Sequence, residues 1–97
     1  MLQKVIQVYP QHDFTVYVYF ENGKIKLFDM KPLLQKGIFQ KISEVDFFLS
    51  ACTVLNNTLA WDLSGTYDPS NCIDIDPEEI YQKGSDVKDP LSSSAYI

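Results

Sequence analysis

Ninety-seven residues, 45% of them hydrophobic and 13% aromatic, are enough for one domain around a single core and exclude a second. No run of roughly eighteen apolar residues is present, and the opening "MLQKVIQVYPQHD" lacks the basic segment, apolar block and small-residue cleavage site of a signal peptide, so a cytoplasmic protein without membrane contact is expected. The net charge of −5 divides into +3 over residues 1–43 and −8 over residues 44–97, with no arginine anywhere; a chain without guanidinium forks is a poor binder of nucleic acid and suits a basic protein partner better.

The segment "KVIQVY" is rich in strand-forming residues and the "PQHD" after it is turn chemistry, which predicts a first strand. From Asp13 to Asp29, Phe14, Val16, Val18 and Phe20 alternate with Thr15, Tyr17 and Tyr19 at the two-residue period of a strand. Asn22-Gly23 predicts a type I′ turn, and the register that follows sets Phe20 opposite Ile25, Tyr19 opposite Lys26, Val18 opposite Leu27 and Tyr17 opposite Phe28. A three-stranded antiparallel meander with one apolar face results.

Short helices are expected to cover that face. Asp29 can cap a segment through "MKPLLQKG" that stops at Gly37, Ile38, Phe39 and Ile42 recur at helical spacing, and Ser43 with Asp46 resembles a capping box before Phe47, Phe48 and Leu49. "CTVLNNTLAWD" returns to strand character, with Asn56-Asn57 as a second primed turn that sets Leu55 opposite Thr58, Val54 opposite Leu59 and Cys52 opposite Trp61. Asp62 to Asn71 is composed of turn formers around Tyr67 and reads as a surface loop.

Four carboxylates crowd into "CIDIDPEEIYQKG", yet each has a structural explanation. Cys72, Ile73 and Ile75 fit a short strand, Asp76 an N-cap, Pro77 the first helical position, and Glu78 and Glu79 the first turn, where carboxylates oppose the positive end of the helix dipole. Gly84 ends the helix, and residues 84–97, polar and serine-rich, are expected to form a mobile tail in which Ala95, Tyr96 and Ile97 can dock locally. The domain proper is thus 1–83, an α+β fold of antiparallel strands packed with short helices.

Chemistry is sparse. Cys52 and Cys72 read as two free thiols, a zinc site lacks ligands because His12 is the single histidine, and no metal or cofactor is expected. "DIDPEE" departs from a calcium loop, and no nucleophile, paired acid or phosphate-binding loop supports an enzyme. The informative feature is the stripe of the first hairpin predicted to face outward, Tyr17, Tyr19 and Phe28 with Lys24 and Lys26 at its rim, which suits a protein interface. The alternative is a small-ligand or metal-binding regulatory site built from Trp61, Tyr67 and Asp74. An aromatic outer face or an unpaired edge strand also slightly favours a homodimer over a monomer.

The stretches "FENGKIKLFDMKPLLQKGIFQKI" and "IDIDPEEIY" give the chain a resemblance to the domain-of-unknown-function family 2442, small prokaryotic proteins, over nearly all of residues 1–83. The residues that carry it include Asn22-Gly23, Phe28-Asp29, Leu33-Leu34, Gly37, Phe39, Phe47, Trp61, Asp74, Pro77, Glu78 and Tyr81. The resemblance implies a small α+β domain without catalytic residues or cofactor. It also implies, by association, an antitoxin-like partner of a small toxin. Some relatives add a C-terminal helix-turn-helix, for which the residues after Gly84 are too few.

Overall fold

The computed structural model describes residues 3–90. Strands β1 (Val5–Pro10), β2 (Thr15–Phe20) and β3 (Ile25–Asp29) form the expected meander, a 3-10 helix (Gly37–Ile42) and α1 (Val45–Ala51) follow, and β4 (Cys52–Leu55), β5 (Thr58–Asp62) and β6 (Cys72–Asp74) form a second antiparallel sheet. Helix α2 (Pro77–Lys83) then leads into β7 (Ser85–Asp86), which returns to the first sheet beside β3, giving the order β1-β2-β3-β7. The Val5 N–H donates to the Asn57 carbonyl across 2.9 Å, tying the first strand to the turn of the second sheet.

A single cluster of side chains forms the core. The first sheet sends in Val5, Val16, Val18, Phe20 and Phe28, the second Leu59, Trp61 and Ile73, and Met30, Ile42, Phe48 and Ile80 close it. Trp61 lies at the centre without solvent contact, its indole N–H donating to the Phe48 carbonyl across 3.0 Å and its ring tilted against that of Phe48 at 5.3 Å.

The first hairpin turns at the expected residues but in a different register. Tyr19 faces Ile25, Val18 faces Lys26, Tyr17 faces Leu27 and Val16 faces Phe28, a one-residue slip from the predicted pairing. Only Gly23 adopts a positive φ, at 94°, while the Gly23 N–H reaches the Phe20 carbonyl and the Phe20 N–H the Lys24 carbonyl. These contacts close a three-residue loop, a tight turn followed by a left-handed glycine, in place of a two-residue type I′ turn. The Asn22 side chain accepts the Lys24 N–H at 2.9 Å, giving the loop a local bond that needs no left-handed asparagine.

Because side chains alternate, the slip exchanges the faces of β3. Lys26, Phe28 and Met30 turn inward and are buried, and Ile25 and Leu27 turn outward. Phe28 and Met30 are the larger apolar pair to sink, which accounts for the preference. The cost falls on Lys26, whose stem is buried beneath α2 while its ammonium reaches the Asp86 carboxylate at 2.8 Å and lies 4.8 Å from the centre of the Tyr81 ring.

The second hairpin matches expectation residue for residue: Leu55 pairs with Thr58, Val54 with Leu59 and Cys52 with Trp61, and Asn56 and Asn57 take φ of 55° and 61°. Asp76 caps α2 by accepting the Glu78 N–H at 3.0 Å, with Pro77 in the first turn, and the Gly84 N–H closes the helix onto Ile80. Three helical expectations change. "MKPLLQKG" forms overlapping turns begun by a Lys31 N–H to Asp29 bond, and Ile38, Phe39 and Ile42 belong to the 3-10 helix Gly37–Ile42. The cap of α1 is Glu44, which accepts the Phe47 N–H at 3.1 Å, because the Ser43 hydroxyl is engaged with the Gln40 carbonyl of the preceding helix.

The expected mobile tail from residue 84 also needs correction over its first part. Ser85 and Asp86 pair with Leu27 and Lys26, the Val87 N–H donates to the Ile25 carbonyl, and the Tyr19 hydroxyl donates to the Asp89 carboxylate at 2.7 Å. The segment thus extends the first sheet through backbone bonds at the edge of β3. The expected docking of Ala95, Tyr96 and Ile97 lies outside the described residues.

Candidate interaction surface and acidic loop

The outer face of the first sheet is defined by the pairs Gln7 with Tyr19 and Tyr9 with Tyr17 on one side of β2 and by Ile25 and Leu27 on the other. Of the residues predicted to display themselves there, Tyr17 alone does so, half-buried. Tyr19 points outward but is covered, 8% exposed with its hydroxyl held by Asp89. Phe28 and Lys26 belong to the buried face for the register reason given above. Lys24 is exposed beside the turn.

Residues that periodicity in β2 does not mark fill the vacated place. A β-bulge between Val5 and Gln7 leaves Ile6 60% exposed, and Tyr9 is 42% exposed with its ring stacked on that of Tyr17, centres 6.1 Å apart. Tyr9 and Tyr17 therefore form an exposed aromatic patch on two adjacent strands, and Ile6 adds an exposed apolar side chain at the bulge of β1. Carboxylates lie near the patch: Asp13 just before β2, where it accepts the Thr15 N–H and hydroxyl, Asp29 at the end of β3, paired with Lys31 at 3.2 Å, and Asp89 over Tyr19. The Thr15 contacts hold the Asp13 carboxyl below its ordinary value of 3.8. His12 is exposed in the turn between β1 and β2.

The alternative ligand set does not come together. Trp61 is sealed in the core, Tyr67 is 64% exposed on the loop after β5, and Asp74 is exposed at the end of β6, where the Asn56 amide reaches it at 3.3 Å. The side chain that organises this region is Asp62, which the pattern of turn formers did not distinguish from its neighbours. Its carboxylate accepts the Ser64 N–H at 3.0 Å, the Ser64 hydroxyl at 2.8 Å and the Tyr67 N–H at 2.8 Å. The Tyr67 amide first, and then Ser64, hold its pKa below the ordinary 3.8. Asp68 does the same for Ser70, accepting its N–H and hydroxyl. Burial pushes the Cys52 thiol up to about 12, and it raises that of Cys72 with Asp74, Asp62 and Asp68 adding to the effect. Both cysteines are free, as expected.

A family model described as "Protein of unknown function (DUF2442)" matches residues 5–85. The chain belongs to this family. The matched span runs from the start of β1 to the first residue of β7, so it contains both sheets and α2. Neither a curated protein nor a solved structure matches the chain. No helix among the described residues is long and apolar enough to cross a membrane.

Proposed function

We propose that this family member is a non-enzymatic protein-interaction module of the cytoplasm that receives a basic protein partner on the outer face of its first sheet, in an antitoxin-like role. The observation that carries the reading is the Tyr9 and Tyr17 stack on the outer face of β1 and β2, with Asp13 and Asp29 at the end of the same sheet and Asp89 over Tyr19. Stacked tyrosines offer a large, rigid contact area at small entropic cost, and carboxylates at the edge speed the encounter with a basic surface. Several other carboxylates are engaged in holding structure: Asp76 caps α2, while Asp62 and Asp68 tie a loop.

Affinity capture with the purified protein, followed by identification of what is retained, tests this. A basic protein recovered in stoichiometric amount, and lost at least about tenfold from a Tyr9→Ala, Tyr17→Ala double variant of unchanged melting temperature, is the expected outcome. An acidic partner, or undiminished capture by the folded variant, removes the proposal. A second copy of the chain on the same face would appear as a dimer by light scattering that the double variant dissolves, and would replace the basic partner as occupant.

A further inference from the structure

A cleft of about 370 Å³ lies between the end of α1, β4 and the loop after β5. Its walls combine unlike residues: the apolar Phe47 and Leu63, the hydroxyl-bearing Ser50 and Thr53, the largely buried Asp62 (8% exposed) and Tyr67. The donors that hold Asp62 are all neutral, and the ion pairs formed among the described residues, Lys26 with Asp86, Lys31 with Asp29 and Lys83 with Glu79, lie elsewhere. Asp68, on the same loop, has its pKa held below the ordinary 3.8 chiefly by Ser70, with the nearby Asp62 charge acting weakly the other way, so two carboxylate charges sit together beside the cleft.

We infer that this cleft binds an alkyl cation, a guanidinium or ammonium group carried on a short aliphatic stem. The stem lies against Phe47 and Leu63, as the methylenes of lysine and arginine do on apolar surfaces. The charged head meets the Asp62 carboxylate, and the exposed Tyr67 ring offers a face for the cation. An anion is repelled by Asp62 and Asp68, and a neutral ligand leaves the carboxylate charge uncompensated. The site uses other elements than the Tyr9 and Tyr17 patch and stands independently of the function proposed for it.

The test is titration of the ¹⁵N-labelled protein with n-butylguanidinium and n-butylammonium, with n-butylurea as the neutral counterpart. Saturable shifts at the Ser64, Gly65 and Tyr67 amides for the cations but not for the urea are expected. Tyr67→Asn, chosen because asparagine tolerates the left-handed backbone at this position (φ 57°), should weaken binding about two- to fivefold. Ser50→Trp, at an exposed position on the cleft wall, should abolish it by filling the space. A glycine-serine peptide with one arginine separates the sources: binding about tenfold or more tighter than the free cation assigns the site to a partner side chain, and equal binding to a small molecule. Absence of saturable shifts, equal response to n-butylurea, or unchanged binding in both variants overturns the inference.

Discussion

Trp61 is the largest fully buried side chain among the described residues. Its ring sits against Phe48 in the middle of the core and its N–H satisfies the Phe48 carbonyl at the end of α1, so one side chain joins the second sheet to the helix. Trp61→Ala should lower stability by about 3–5 kcal/mol, measured by urea denaturation, because it opens a cavity and also strands a buried carbonyl. A loss below about 1 kcal/mol would contradict the central placement of the ring. Its assignment to a ligand site failed because composition alone does not reveal which side of a strand an aromatic residue occupies; pairing with Cys52 and Ile73 on the core face decides that.

At the scale of elements, the close approach of α2 to β3 controls where the chain goes after residue 83. A Cβ on Gly84 would lie 2.8 Å from the Ile80 carbonyl and 2.8 Å from the Lys26 Cβ, so the glycine is required by contact rather than by its φ. Gly84→Ala should therefore cost about 1–3 kcal/mol and speed amide hydrogen exchange at Val87, whose N–H bonds to Ile25, while leaving the second sheet protected. Unaltered exchange at Val87 would show that β7 does not depend on this contact. The two hairpins show what is legible locally. Asn56-Asn57 provides two residues that tolerate left-handed backbone, so its register follows from the turn. Asn22-Gly23 admits both a two-residue and a three-residue loop, and the burial of Phe28 and Met30 selects between them.

The whole molecule responds to acid through its aspartates. Asp13, Asp62, Asp68 and Asp86 all have folded pKa values below the ordinary 3.8, from hydrogen bonds to Thr15, Tyr67, Ser70 and Lys26 respectively. A carboxylate whose folded pKa is depressed takes up its proton more readily in the unfolded chain. Its stabilisation is therefore complete above the unfolded value and is lost as pH falls through the folded one. The melting temperature should stay level from pH 7 to about 5 and fall steadily below about pH 4. A maximum near pH 3 would reverse the sign of these contributions.

The sequence alone determined the features whose causes are local: the strand period of β2, the primed turn at Asn56-Asn57, the capped start of α2 at Asp76-Pro77, and with them the α+β class. These depend on backbone preferences and on bonds spanning a few residues. Only the tertiary structure decided the register of the first hairpin, the inward turn of Lys26 and Phe28, the burial of Trp61 and the return of Ser85–Asp86 to β3. Those outcomes compare the burial of one side chain with that of another far along the chain, and the comparison exists only once the core has closed.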